Sequence, residues 1–186
     1  MSEIIIVDRK ELVVRPIRVS DVERLARMFG RLSPESIRYR FFSPLPRLSA
    51  PALRRLAEVD GRHRDALVAL DGDEIVAVAR YSEIPESTST TREEAEIAVT
   101  VEDAWQRRGL GRRLARRLAV RARGRGYKTF IARMLADNRA ALGLVRDLVP
   151  DASVVFAGGD YEARLPLATM ASEGRSDDQL GATDTP

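Results

Sequence analysis

The chain has 186 residues, 44% of them apolar, no cysteine and a formal charge of +3. That length supports one sizeable core, and the lack of thiols excludes disulfides, thiolate nucleophiles and cysteine metal sites, so no metal is expected. All but two of its 31 basic residues are arginines, Lys10 and Lys128 being the exceptions, a bias that suits recognition of phosphate and carboxylate groups.

Met1-Ser2-Glu3 has neither the basic nor the apolar region of a secretory signal. The longest apolar runs, such as Ile4 to Val7 and Ala66 to Leu70, are far too short to cross a bilayer of about 30 Å as helix. A cytoplasmic protein without a membrane partner is expected. In chain order, Leu12-Val13-Val14 predicts a first strand, and Ser20-Asp21 predicts the cap of a helix carrying Val22, Leu25, Ala26, Met28 and Phe29 on or near one face. Ser33 as N-cap and Pro34 at the first helical position begin another helix, with Ile37, Phe41 and Phe42 turned inward and Pro44 and Pro46 ending it. A short helix from about Ala50 to Val59 closes at Asp60-Gly61. Ala66 to Leu70 and Glu74 to Tyr81 then form a hairpin about Asp71-Gly72, and the polar loop Pro85 to Thr91 leads to a strand from Glu94 to Val101.

The next helix carries Leu110, Leu114, Leu118 and Ala122 as an i, i+4 stripe, while Arg112, Arg113, Arg116, Arg117 and Arg123 read as a largely solvated face. Gly124 and Gly126 stop it, and Lys128 to Leu135 supplies a strand. Asp137-Asn138 caps a helix bearing Ala141, Leu142, Leu144, Val145 and Leu148. Two final strands, near Ser153 to Ala157 and Tyr161 to Leu167, are joined by Gly158-Gly159-Asp160. One domain over residues 1–170 is expected, and Ala171 to Pro186, small, polar and of local charge −3, reads as a disordered tail.

The segment Gln106-Arg107-Arg108-Gly109-Leu110-Gly111 lies between an apolar strand and an amphipathic helix. Its glycines let the main chain turn tightly, and the first amides of the helix, at the positive end of its dipole, attract anionic oxygens. A pyrophosphate is the expected ligand there. The arginine-rich helix and a pI near 9.7 also raise the question of nucleic acid, but those arginines are interleaved with a core stripe and balanced by carboxylates, so no nucleic-acid partner is expected.

The element order, together with Ala95-Glu96-Ile97-Ala98-Val99, Gln106 to Gly111 and Asn138-Arg139-Ala140-Ala141, resembles the GCN5-related N-acetyltransferase (GNAT) family over roughly Leu12 to Leu167. Within it, Arg31-Leu32-Ser33-Pro34-Glu35-Ser36 and Arg40-Phe41-Phe42 resemble bacterial protein lysine acetyltransferases. The resemblance implies a mixed α/β fold, a central twisted sheet of about six to seven strands flanked by about four to five helices, splayed where the cofactor enters. It implies acetyl-CoA as cosubstrate. The pantetheine arm would bond the main chain of Val99 and Val101, and the pyrophosphate would meet the amides of Gln106, Arg107, Arg108, Gly109, Leu110, Gly111 and Arg112, with Arg107, Arg108 and Arg112 adding charge-assisted contacts. Asn138 matches the family position that hydrogen-bonds the cofactor, and a plain N-cap is its other reading.

Acetyl transfer needs a neutral amine. At pH 7 a free lysine, pKa about 10.4, gives up its proton at a cost of about 4.6 kcal/mol. The lone histidine, His63, sits in the charged stretch Gly61 to Asp65 and reads as a surface loop residue, so the base is a carboxylate. Glu94 and Glu96 share one face of the strand. Glu96 matches the family's catalytic glutamate, and partial burial there would suit a general base; Glu93 and Glu94 are the alternatives. Many members of the family place a tyrosine, the acid for the leaving thiolate, where this chain has Val145, and a Gly-Phe where it has Val149-Pro150. Tyr161 is a candidate substitute. The expected reaction is direct acetylation of a protein lysine ε-amine, with an acidic surface near Glu83, Glu86, Glu93 and Glu94 attracting the cation. A small amine such as an aminoglycoside or polyamine is the alternative acceptor, and a catalytically weak acyl-CoA-binding regulator is the alternative function.

Overall fold

Eight stretches have extended backbone: β1 (Glu3–Val7), β2 (Lys10–Pro16), β3 (Arg64–Asp71), β4 (Glu74–Glu83), β5 (Glu94–Val101), β6 (Thr129–Leu135), β7 (Ser153–Ala157) and β8 (Asp160–Pro166). In the computed structural model, which describes residues 2–44, 47–84 and 93–172, they form one sheet in the order β1-β2-β3-β4-β5-β6-β8-β7. Every neighbouring pair is antiparallel except β5 and β6, which run parallel. Pro46, the loop Pro85 to Thr91 and residues 173–186 of the expected tail lie outside the described residues.

Among the described residues six α-helices cover the sheet: α1 (Val22–Arg31), α2 (Pro34–Phe41), α3 (Ala50–Ala57), α4 (Leu110–Arg123), α5 (Arg139–Leu148) and α6 (Leu167–Ser172). Leu25, Met28 and Phe29 of α1 and Leu53 of α3 close over Ala66, Val68 and Val78 on one face. On the other face, Leu114 and Leu118 of α4, Leu148 of α5 and Met170 of α6 pack with Leu67, Ala77 and Phe130. With both faces covered, β3 carries the uninterrupted buried run Asp65–Leu70 rather than an alternating pattern. The predicted stripe Leu110, Leu114, Leu118 and Ala122 is at most 1% exposed, and each leucine so buried contributes roughly 1.5–3 kcal/mol.

The structure corrects several expectations. The eighth strand is β1, hairpinned to β2 through Asp8 and Arg9, both left-handed. The β3–β4 turn is Gly72-Asp73, one residue later than predicted, because Asp71 still pairs with Glu74. Phe42 is not inward: it ends α2 in a left-handed conformation and is 42% exposed. Ala26 of α1 is exposed. Arg116 is buried, whereas a solvated face was expected, because α4 packs on α6 and α5 as well as on the sheet. Leu167 opens the unforeseen α6, which includes Ala171 and Ser172.

Asp21 stands at the N-cap of α1, but its side chain accepts no hydrogen bond from that helix. Its fully buried carboxylate accepts two hydrogen bonds of 2.7 Å from Arg15 and one of 2.9 Å from the Arg18 amide. Burial alone would raise its pKa, but the hydrogen bonds of Arg15 and Arg18 and the charges of Arg15 and Arg24 hold it below the usual carboxylate range. Its contribution is therefore complete above about pH 4 and is lost as pH falls through the lowered value. Asp21→Asn strands the buried guanidinium of Arg15 and should cost about 3–5 kcal/mol, a fall in Tm of roughly 10 °C at pH 7. Thermal melts from pH 7 to pH 3 check this: the gap between wild type and variant should narrow in acid.

Candidate cofactor cleft and active site

β5 is paired with β4 from Ala95 opposite Glu83 to Val101 opposite Ala77. Its parallel pairing with β6 covers only Glu94–Ile97 against Thr129–Ala132, although the strands continue to Val101 and Leu135. β6 stays paired with β8 throughout, to Leu135 opposite Asp160. From Ala98 onward the two strands therefore diverge, and the β5 main chain borders a gap. Buried peptide groups require partners, and an extended ligand chain bearing amides supplies them as an added strand would. Val99 and Val101 lie on this stretch with their side chains turned to α4, where a Cβ on Gly111 would stand 3.5 Å from each.

Beyond β5 a 3₁₀ turn (Asp103–Trp105) leads to the glycine loop. Arg107 is left-handed and exposed, and Gly109, the N-cap of α4, has φ +74° with open space where a side chain would be. The first helical bond of α4 runs from the Arg113 amide to Gly109 O at 3.1 Å. The amides of Leu110, Gly111 and Arg112 precede it, and a glycine cap has no side chain to accept from them. This uncapped helix start fits a diphosphate.

The predicted loop residues are not equivalent. The Gln106 amide bonds Asp103 O at 3.3 Å, and its side-chain Nε2 donates to Val101 O at 3.1 Å and Ser36 Oγ at 3.2 Å. Gln106 thus closes the end of β5, and the run of amides begins at Arg107. Arg108 lies 3.1 Å from Asp8 and over the Trp105 ring. Asn138 caps α5, its Oδ1 accepting from the Ala141 amide at 2.9 Å, and its Nδ2 has no protein partner among the described residues.

Helix α2 bridges the open ends of both diverging strands, which local sequence patterns did not reveal. At its start, Asp103 accepts from Ser33 N at 2.9 Å and from the Ser33 and Ser36 hydroxyls at 2.8 Å each. Burial pushes the Asp103 carboxyl up, but these bonds outweigh it and hold it low. At its far end, Arg38 pairs with Asp137 just beyond β6, and the Tyr39 hydroxyl lies 3.3 Å from Asp137 O and 3.1 Å from Glu35. Burial, then the Glu35 contact, raises the Tyr39 pKa.

Glu96 stands beside Ile97, the last residue of β5 paired with β6, and its side chain is 45% exposed and 3.3 Å from Arg133. It is partly buried, and at this point β5 is still paired with β6, Glu96 standing opposite Ile131. Glu94, 11% exposed, is paired with Arg164, and Glu93 lies 2.6 Å from Lys128. Glu83 meets His63, which is exposed as predicted, at 2.6 Å. The acidic surface expected here is thus neutralised at Glu93 and Glu94 by Lys128 and Arg164, and Glu86 lies outside the described residues. Val145 is buried, and Tyr161 meets Phe156 edge-on with ring centres 5.4 Å apart.

Among the described residues no group of three or more histidines or carboxylates could hold a metal ion, and no helix is long and apolar enough to cross a membrane. Residues 33–148 match the Acetyltransferase (GNAT) family. Acetyltransferase PA5475 of Pseudomonas aeruginosa is 33% identical over 156 residues, 78% of this chain and 81% of the relative. The crystal structure of the GNAT domain of S. lividans PAT superposes with a TM-score of 0.82 at 33% identity, covering 89% of this chain and 96% of that one. Acetyltransferase Pat of Mycolicibacterium smegmatis is 35% identical over 129 residues, 68% of this chain but only 37% of the relative. With the splayed strands and the uncapped glycine loop, these likenesses show that the chain belongs to the GNAT family of acetyl-CoA-dependent acetyltransferases.

Proposed function

We propose that this chain transfers the acetyl group of acetyl-CoA directly to the ε-amine of a protein lysine, with Glu96 as general base. The reading rests on one observation: β5 parts from β6 immediately after Ile97, so the cleft opens at Ala98, the next residue along β5 on the face that carries Glu96. Glu94, two residues earlier along a strand that rises about 3.3 Å per residue, is farther from the opening, 11% exposed and held by Arg164, whereas Glu96 is 45% exposed and meets Arg133 at 3.3 Å. A carboxylate half open to solvent, as Glu96 is, can pass the amine proton on to water. The likeness of residues 31–42 to bacterial protein lysine acetyltransferases supports lysine as acceptor.

In this reading the Arg107–Arg112 amides hold the diphosphate, main-chain groups of Val99 and Val101 hold the pantetheine arm, and Asn138 Nδ2 contributes from the far wall. Acetyl-CoA supplies the activated thioester. The chain's residues orient it, keep α2 in place and take the proton from the amine, and without cysteine no acyl-thioester enzyme intermediate forms.

Acetyl-CoA at 100 times its Kd should stabilise the protein by about 2.7 kcal/mol, a rise in Tm of roughly 5–10 °C. Glu96→Gln should keep that rise while lowering kcat about 10²- to 10⁴-fold on a lysine peptide; an undiminished rate moves the base elsewhere. Gly109→Val forces a β-branched side chain into a left-handed N-cap, and calorimetry should show acetyl-CoA binding at least about tenfold weaker. Gly124→Ala, at φ −60° on the far end of α4, should leave that affinity unchanged.

A further inference from the structure

On the α1–α3 side of the sheet the three arginines of α1 are paired, while Arg54 and Arg55 of α3 are exposed to solvent. Arg24 meets Asp73, Arg27 meets Glu74, and Arg31 reaches Glu74 and Glu102. Arg40 of α2 and Arg80 of β4 are the contrast. Both are partly buried and line the same cavity of about 10 Å³, among Phe29, Leu56, Val78 and Ala98. Among the described residues neither has a carboxylate within ion-pair distance. Arg80 donates to Leu56 O at 3.2 Å, and Arg40 lies over the Phe41 ring, 5.0 Å from its centre.

Two partly buried guanidiniums side by side are unfavourable, since each loses hydration and repels the other. Burial, with the charges of Arg40 and Arg64, pushes the Arg80 pKa down to about 10, and burial lowers that of Arg40 against the pull of Glu96. The pair also has a definite place. Arg80 is opposite Ala98 in the β4–β5 register, where the cleft opens, and Glu96 is two residues away along β5, on the same face.

We propose that Arg40 and Arg80 form an anion subsite in the acceptor half of the cleft: their cavity has room for about one water, and the guanidiniums move apart to take a carboxylate carried by the acceptor beside the amine that meets Glu96. This rests on the acetyl-transfer reading above and names its substrate class: a lysine flanked by an acidic residue. Arg80 and Glu96 are diagonal neighbours on adjacent strands, a spacing of roughly 7–8 Å. That span suits an ε-amine and the carboxylate of a neighbouring side chain, whereas the amine and carboxylate of an α-amino acid share one carbon. The planar guanidinium fork binds carboxylates in two-point fashion, and an arriving anion relieves the repulsion between the two arginines.

Three lysine peptides differing only in a flanking Glu, Gln or Lys test this, with 6-aminohexanoate against hexylamine as the small-molecule arm. In wild type, kcat/KM for the Glu peptide should exceed that for the Gln peptide at least tenfold and that for the Lys peptide by more. In Arg40→Gln and Arg80→Gln the Glu-to-Gln ratio should fall below threefold while the acetyl-CoA thermal shift persists. Arg80→Met, which keeps the packed stem, replaces Arg80→Gln if that variant does not fold. A preference confined to 6-aminohexanoate supports the subsite and places the carboxylate on a small acceptor. A ratio near one in wild type for both arms, or one unchanged in both variants, overturns the subsite. Equilibrium binding of the acetylated Glu and Gln peptides to the CoA-saturated protein gives the same ratio without turnover. If no acceptor reacts yet the acetylated Glu peptide binds preferentially, the acetyl-transfer reading falls and the subsite stands; if neither peptide is preferred, the subsite falls.

Discussion

Four residues of parallel pairing between β5 and β6, followed by divergence, are the constraint from which the rest of the site follows. Peptide groups favour continuing a ladder once it has started, so a gap between two strands persists only if each is fixed on its other side. Both are. β5 is paired with β4 along almost its whole length, and β6 is paired with β8 along all of it. The sheet is therefore two antiparallel halves joined by a short parallel seam. Beneath the opening, Gly111 brings the start of α4 close to Val99, Val101 and Leu144, so the helix and the diverging strand share one packed base. A side chain larger than alanine there would press into that base.

The second requirement is that the two walls keep their relation to each other. A misplacement of about 1 Å costs a transfer reaction on the order of a hundredfold, so an acceptor wall hinged independently of the cofactor wall would be ineffective. α2 removes that freedom by reaching Asp103 after β5 and Asp137 after β6. The same Ser33 that starts α2 by accepting from the Ser36 amide also donates to Asp103. One hydroxyl thus serves local helix formation and long-range positioning together.

This double use explains what was legible in the sequence. Ser33-Pro34, the stripe on α4, the Asp137-Asn138 start of α5 and the strand–glycine–helix junction are written in local spacing, and each was read nearly to the residue. β1 was not, because its turn is Asp8-Arg9 rather than a glycine or asparagine pair, and Arg9 gives no signal for the left-handed conformation it adopts. α6 is six residues long, too short for a periodic face to stand out. Asp21 looks like a cap from its neighbours, and only the fold brings Arg15 against it. The acidic surface near Glu93 and Glu94 was read from residues adjacent in sequence, whereas Lys128 and Arg164, which neutralise them, come from other strands. Arg40 and Arg80, forty residues apart, come to one cavity only in the folded chain.

The proton balance of the proposed transfer shows why a buried valine at position 145 is compatible with it. At pH 7 removing the proton from a lysine costs about 4.6 kcal/mol, whereas releasing a thiol of pKa about 8.5 as thiolate leaves a deficit of only about 2 kcal/mol. A single catalytic proton acceptor is worth more on the amine side than a donor on the sulfur side. The chain's carboxylates follow that asymmetry, with Glu96 at the mouth of the cleft and only hydrocarbon at Val145. Any acid for the thiolate is then least needed where the family's tyrosine is absent, and the thiolate's proton can come from solvent once CoA leaves.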